Sequence, residues 1–96
     1  MASNFRIYEH QNTDSLHLKL TGDFDGSSAR EVLHVLQNNY RKASQVFIHC
    51  SCLNKIEPSG RAVFQDNINA LKDDSKRFLF TGDKASQIAP EGSQCL

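Results

Sequence analysis

Histidine and cysteine side chains lie close together at His49, Cys50 and Cys52, and imidazole and thiolate are the ligands that zinc prefers. Structural zinc requires four ligands, usually on two paired arms, whereas this stretch has one Cys-x-Cys and one adjacent histidine. If the stretch is a strand, His49 and Cys50 point to opposite faces. Three cysteines, counting Cys95, cannot all pair within one chain. We therefore expect buried, inert thiols, no metal site and no cofactor.

Nucleophilic catalysis is not predicted by the remaining pattern. A Ser–His or Cys–His pair needs an orienting third group, and neither that group nor a nucleophile elbow can be placed. The phosphate loop G-x-x-x-x-G-K-[ST] is absent from the sequence. We therefore predict a protein that is not an enzyme.

Ser59 follows Pro58 at a predicted helix start, so its hydroxyl lies in the first turn of that helix. Backbone N–H groups and the positive end of the helix dipole favour an added phosphate there. The alternative is structural: the hydroxyl satisfies a backbone donor of the first turn. Both interpretations of Ser59 stay open at this point.

The charge balance limits the kinds of partner. Lys plus Arg number 11 and Asp plus Glu number 11, so the formal net charge is zero. Nucleic-acid binding depends on concentrated positive charge, so we predict no nucleic-acid partner, although a local patch is not excluded. No apolar run approaches the roughly 20 residues of a spanning helix. The N-terminus lacks the apolar segment of a signal peptide. We expect a cytoplasmic protein without membrane insertion.

Four segments are predicted as strands. Residues 5–9 and 16–21 alternate apolar and polar side chains around a polar turn, which indicates a hairpin. Residues 45–50 are short and continuously apolar, which is typical of a strand covered on both faces. Residues 77–82 form a further apolar strand, in which Phe78 and Phe80 are expected in the core.

Two amphipathic helices are predicted between these strands. Ser28 and Glu31 have capping-box spacing, so the first helix should begin there. The second should begin at Pro58, which tolerates the first helical position. A weak terminal helix is expected over 84–88. The buried stripes are predicted to comprise Ala29, Val32, Leu33, Leu36 and Tyr40 in the first helix, and Gly60, Val63, Phe64, Ile68 and Leu71 in the second.

The order β-β-α-β-α-β-α predicts an α/β fold. A strand, a crossover helix and a further strand, repeated twice, imply parallel pairing with right-handed connections. The first hairpin strand would add antiparallel at an edge. We therefore expect a four-stranded mixed sheet with helices packed mainly on one face.

Three segments resemble the STAS domain, which sulfate transporters and bacterial anti-sigma factor antagonists share. Residues 18–25 (LKLTGDFD) are similar to the family's segment ahead of the first helix, and residues 46–53 (VFIHCSCL) to its central strand. Residues 55–61 (KIEPSGR) stand where the family has I-D-S-S-G-L at the start of the second helix. The resemblance spans roughly residues 5–90. It implies a single STAS-like domain over 1–96, shortened at the C-terminus without room for the family's last strand and full helix.

The resemblance also implies a switch. In phosphorylatable members, a partner anti-sigma factor kinase phosphorylates the first serine of D-S-S-G, and the partner is released. In this sequence Glu57 replaces the aspartate and Pro58 replaces the acceptor serine. Ser59 matches the second serine and is the candidate phosphorylation site, while Arg61 replaces an apolar residue. The family's phosphorylation route is therefore interrupted at Pro58, while partner docking is still expected.

A partner-binding surface is predicted where the family docks its partners, at the start of the second helix and on the connection that contains Asp23 and Asp25. Each residue also has a structural interpretation. The charged residues could form a solvated face, the aspartates could serve turns and caps, Gly60 could allow close helix packing, and Pro58 could simply start the helix. The predicted surface comprises Asp23, Asp25, Lys55, Glu57, Pro58, Ser59, Gly60 and Arg61.

The leading hypothesis is a non-catalytic interaction module resembling a bacterial anti-sigma factor antagonist. Its partner would be an anti-sigma factor or serine kinase-like protein, or another STAS protein, and a homodimer stays open. A second hypothesis is a STAS subunit of a lipid-transport ABC ATPase complex, a role that requires no phosphorylation. A third is a small anion- or nucleotide-binding protein that uses Ser59 and nearby helix amides.

Overall fold

The computed structural model describes residues 4–39, 44–71, 77–89 and 94–95. The elements follow the predicted order, with one short strand added at the end. Tyr40 and the side chain of Leu71, both assigned to buried stripes, lie outside the described side chains. The elements are β1 (Arg6–Gln11), β2 (Ser15–Phe24), α1 (Gly26–Asn39), β3 (Gln45–Ile56), α2 (Pro58–Leu71), β4 (Arg77–Thr81), α3 (Ala85–Ile88) and β5 (Gln94–Cys95).

The strands form one sheet in the order β1-β2-β3-β4-β5. β1 pairs antiparallel with β2, and every other pairing is parallel. This confirms the predicted four-stranded mixed sheet with its antiparallel edge strand. β5 extends the sheet by two residues, which pair with Leu79 and Phe80. The sequence did not predict β5, because two residues are too few to show a strand periodicity.

The core lies between the sheet and the three described helices, which pack on one face of the sheet. Leu16, Leu18 and Leu20 of β2 are buried, as predicted, and Ile48 of β3 is fully buried beside them. The predicted stripe of α1 is also buried from Ala29 to Leu36. Phe64 of α2 makes edge-to-face contacts with Phe24 of β2 and Phe80 of β4, so that the helix packs on both strands. The ring centroids are 5.9 Å apart for Phe24–Phe64 and 6.0 Å apart for Phe64–Phe80.

β3 differs from its prediction in coverage and in length. Val46, Ile48 and Cys50 are buried, but Phe47 and His49 on the opposite face are only half-buried. The expectation of a strand covered on both faces is therefore wrong, because no described helix packs on the second face. The strand also continues to residue 56, six residues beyond the predicted end, through two register shifts against β2.

β2 is also longer than predicted, because it runs on through Gly22 to Phe24, where a connection was expected. Phe24 is fully buried and pairs with Ile56 at the end of β3. The two strands therefore end together, directly before α1 and α2. None of the described helices is both long and apolar enough to cross a membrane.

The first turn of α2 packs directly on the backbone of the corner between β2 and α1. The Glu57 N–H donates to the Phe24 carbonyl at 2.9 Å. Gly60 is buried, and a Cβ added there would lie 2.7 Å from the Phe24 carbonyl oxygen and 2.8 Å from that of Asp25. A side chain at position 60 would therefore force the helix away from the corner.

Replacing Gly60 with alanine should lower the free energy of unfolding by about 1–3 kcal/mol, because the rigid backbone cannot yield to the added methyl group. Gly26→Ala is the matched control, since a Cβ at that position meets only the Val63 Cγ2 at an ordinary 3.9 Å. Urea denaturation of both variants measures the difference. Equal stability of the two variants would contradict the close approach.

Candidate functional site

The two predicted halves of the partner-binding surface meet at one end of the sheet. β2 and β3 are parallel, so their carboxyl ends lie side by side, with Phe24 opposite Ile56. The loop after β2 leads into α1, and Glu57 after β3 leads into α2. The segments 23–25 and 55–61 are therefore neighbours in space. They lie at the carboxyl ends of the parallel strands, where such sheets commonly bind ligands.

Asp25 caps the first helix. Its Oδ1 accepts the backbone N–H of Ser28 at 2.9 Å and the Ser28 hydroxyl at 3.1 Å, and the Ser28 hydroxyl also lies 2.9 Å from the Asp23 carbonyl oxygen. The N–H bond from Ser28 is the main cause of a lowered pKa for Asp25. Asp25 is only 9% exposed, so it shapes the corner and presents little area to a partner.

The predicted capping box is therefore wrong. α1 begins at Gly26, two residues before Ser28, and Ser28 occupies the third helical position. Asp25 accepts from the N–H of that residue, which is the bond a capping side chain makes. Serine and aspartate are both good caps, and the longer β2 decides between them because it reaches Phe24.

The first turn of α2 presents its side chains to solvent. Pro58, Ser59 and Arg61 are exposed. Within the described part of the chain, the Ser59 hydroxyl makes no hydrogen bond to a backbone donor. The Arg61 backbone N–H donates to the Glu57 carbonyl at 3.1 Å, which starts the helix.

The charges beside this turn are weakly paired. Lys55 Nζ lies 3.9 Å from Glu57 Oε1, and these side chains are 72% and 41% exposed. An exposed pair at this distance contributes little stability, which leaves both groups able to exchange partners. The Arg61 guanidinium makes no ion pair with any described residue.

A shallow depression of about 270 Å³ lies beside the same turn. The sequence did not identify Gln65 and Gln87 as parts of it, because they come together only when α3 packs against α2. That packing includes the bond from Gln65 Nε2 to the Ala89 carbonyl oxygen at 3.1 Å. The residues that line the depression are Ile56, Glu57, Pro58, Arg61, Ala62, Gln65 and Gln87.

A larger open groove of about 550 Å³ separates β1 from α1. None of the residues that the sequence assigned to a site lines it. Both apolar and charged side chains line it. The groove is lined by Phe5, Arg6, Ile7, Arg30, Glu31, His34 and Val35.

The stretch from His49 to Cys52 divides between the two faces of the sheet. Cys50 is buried in the core and His49 lies on the opposite face, as predicted. Cys52 is exposed, because the register shift places it opposite Thr21, so the expectation of a buried thiol is wrong for this residue. Among the side chains that the structure describes, no three of the His, Cys, Asp or Glu type converge as metal ligands.

Solved structures of other proteins share this fold. SpoIIAA, an anti-sigma factor antagonist, in its unphosphorylated form matches with a TM-score of 0.70 and 10% identity, over 96% of this chain and 86% of that one. A Shewanella loihica protein with a SpoIIAA-like fold matches with a TM-score of 0.62 and 14% identity, over 100% and 90%. Mglu matches with a TM-score of 0.68 and 20% identity, over 90% of this chain and 20% of that chain.

No protein-family model matches the sequence, and no curated protein matches it significantly. At these identities the structures show the fold alone. The chain therefore has a SpoIIAA-like, STAS-like fold, which confirms the resemblance inferred from segments 18–25, 46–53 and 55–61.

Replacing Asp25 with alanine should lower the melting temperature by about 4–8 °C, because α1 loses its cap. Asp25→Asn is the matched control, since the amide oxygen can still accept the Ser28 N–H.

The lowered pKa of Asp25 means that its charge stabilises the fold above about pH 4, and this contribution is lost as the pH falls through the folded-state value. The asparagine variant should lack that loss. Thermal melts from pH 7 to pH 3 measure both effects, and a wild-type melting temperature for Asp25→Ala would contradict the cap.

Proposed function

We propose that this protein is a non-catalytic interaction module of the anti-sigma factor antagonist type, which docks a partner protein through the first turn of α2. One observation carries the proposal: Pro58, Ser59 and Arg61 are exposed on the first turn of α2. The buried Gly60 packs this turn closely against the corner between β2 and α1, which keeps it rigid. A rigid surface loses little conformational entropy on binding. The shared fold of SpoIIAA, an anti-sigma factor antagonist, supports the same type of module.

Arg61 is the proposed anchor of this surface. Its guanidinium is exposed, has no ionic partner among the described residues and lies at the rim of the 270 Å³ depression. Arginine is enriched at protein interfaces because its planar group forms several directed hydrogen bonds. Glu57 and Lys55 would supply complementary charges at the rim, where charge pairs contribute mainly to the rate and specificity of association.

Regulation at this surface would differ from the family's switch. Pro58 has no hydroxyl, so a phosphate cannot be added at that position. Ser59 is exposed and its hydroxyl has no partner in the described ranges, so a kinase could reach it. A phosphate there would add a charge of about −1.5 to −2 near Glu57 and would repel acidic groups of a partner.

A second candidate is a docking subunit of a lipid-transport ABC ATPase complex, and Pro58 is the observation that favours it. Such a subunit would bind its ATPase constitutively, so the loss of the phospho-acceptor hydroxyl would have no cost. The two candidates share the same docking surface and differ in the partner and in its response to ATP.

Capture of partners from lysate of the encoding organism, with and without Mg-ATP, separates these candidates. Recovery of an anti-sigma kinase that is lost on ATP addition, with phosphate on Ser59, would support the antagonist. Recovery of an ABC ATPase without phosphorylation would support the second candidate. Mass spectrometry identifies both the partners and the modified residues.

Arg61→Glu should weaken binding of the captured partner by about tenfold or more without lowering the melting temperature, because the side chain is exposed in the free protein. Arg30→Glu is the matched control, because it reverses the same charge at an exposed position of α1, and it should leave the affinity unchanged. Titration calorimetry with the purified partner measures both variants. Wild-type affinity in Arg61→Glu would rule out this surface.

A further inference from the structure

The sheet has a second face that no described helix covers. Cross-strand register arranges its side chains in rows. In one row Lys19 lies between Tyr8 and His49, and Thr81 follows on β4. In the next row His17 lies between His10 and Phe47. Tyr8 is 58% exposed, the largest exposed fraction of any large hydrophobic side chain in the described ranges.

A hydrogen-bonded chain of side chains crosses three strands on this face. His17 Nδ1 lies 3.0 Å from His49 Nε2, and His49 Nδ1 lies 2.7 Å from the Thr81 Oγ1. The two imidazole planes are within 7° of each other, and Phe47 stacks on His17 with centroids 4.6 Å apart. Both histidines are half-buried, so their rings are held in place by their neighbours. We call the group formed by His17, His49, Thr81 and the stacked Phe47 the ridge.

The ridge can keep only one added proton. A hydrogen bond between two imidazole nitrogens contains a single proton, and a second would place two N–H groups against each other. Burial, followed by the charges of His17 and Lys19, lowers the pKa of His49. The added proton is therefore disfavoured on His49. Protonated His17 can keep both internal hydrogen bonds, because its Nδ1 then donates to His49, and its Nε2, which has no partner among the described residues, becomes a further donor.

The charged side chain in the same row as His49 is the basic Lys19. His10 and Lys19 face the same side of the sheet as the histidine pair, together with Tyr8 from β1, the exposed Cys52 from β3 and the uncharged Leu79 and Thr81 from β4. Glu9 pairs with buried Leu18 and so faces the helix side. Along β2, the first carboxylate on the helix-free face is that of Asp23, beyond Thr21. A second copy of the chain would bring like charges together, whereas an acidic partner would be attracted.

We propose that the helix-free face is a second docking surface, which binds an acidic segment of a partner protein when the His17–His49 pair takes up a proton. Lys19 and protonated His17 bind carboxylates, and Phe47 and Tyr8 provide apolar contact beside them. This surface is separate from the first turn of α2, so the protein would bind on two faces, one of them dependent on pH.

A hexaglutamate peptide is the probe, titrated into ¹⁵N-labelled full-length protein at pH 6 and pH 8 and followed by backbone amide and imidazole NMR. We expect shifts on β2 and β3 around residues 17–19 and 47–49, with binding about tenfold tighter at pH 6. The bound carboxylates should also raise the pKa of His49, because they offset the cations that lower it.

Variants separate charge from proton linkage. Lys19→Gln should weaken binding at both pH values, whereas His17→Asn should abolish the difference between pH 6 and pH 8. His34→Asn and Arg30→Gln are matched controls, because both residues are exposed on α1, on the helix side. Neither control should change the affinity.

Four results would overturn the proposal. They are the absence of shifts on this face at millimolar peptide, equal affinity at the two pH values, an equal response to hexalysine or to inorganic phosphate, and concentration-dependent self-association through this face. Competition from phosphate alone would identify a small-anion site, and self-association would identify a second copy as the occupant. Because α2 is not involved, each result is independent of the docking proposed for Arg61.

Discussion

The contact between the first turn of α2 and the corner that joins β2 to α1 determines the arrangement of the rest of the molecule. Gly60 brings the helix within van der Waals distance of the carbonyl oxygens of Phe24 and Asp25, and the Glu57 N–H bonds to the same corner. No side chain mediates this approach, so it has little freedom to adjust. It aligns Phe64 between Phe24 and Phe80, and it places the exposed residues 58, 59 and 61 on a rigid base.

This packing also explains the unequal faces of the sheet. With every described helix on one side, the buried alternation of β2 and β3 serves the core, and the other alternation is left to polar and aromatic side chains. Cross-strand pairs stabilise such a face without a covering layer. The stack of Phe47 on His17 and the bond between His17 and His49 are cross-strand contacts of this kind.

Features with a local period could be predicted from the sequence. The leucines of β2, the stripe of α1 and Pro58 at the start of α2 each carry a signal within a few residues. Features that depend on long-range packing could not. Asp25 rather than Ser28 became the cap because β2 extends to Phe24. One face of β3 stayed open because the helices that the structure describes lie on the other face. The His17–His49 bond joins residues 32 positions apart through sheet register, which no spacing in the sequence reveals.

Amide hydrogen exchange of the protein bound to its captured partner tests partner docking at α2 most directly. The account predicts slower exchange at residues 57–61, apart from Pro58, which has no amide, and at the adjoining residues 23–25. Backbone amides of α1 away from this corner, around Arg30 and His34, should exchange as in the free protein. Slowed exchange confined to α1 or to the edge strand β1, with unchanged rates at residues 57–61, would contradict docking through the start of α2.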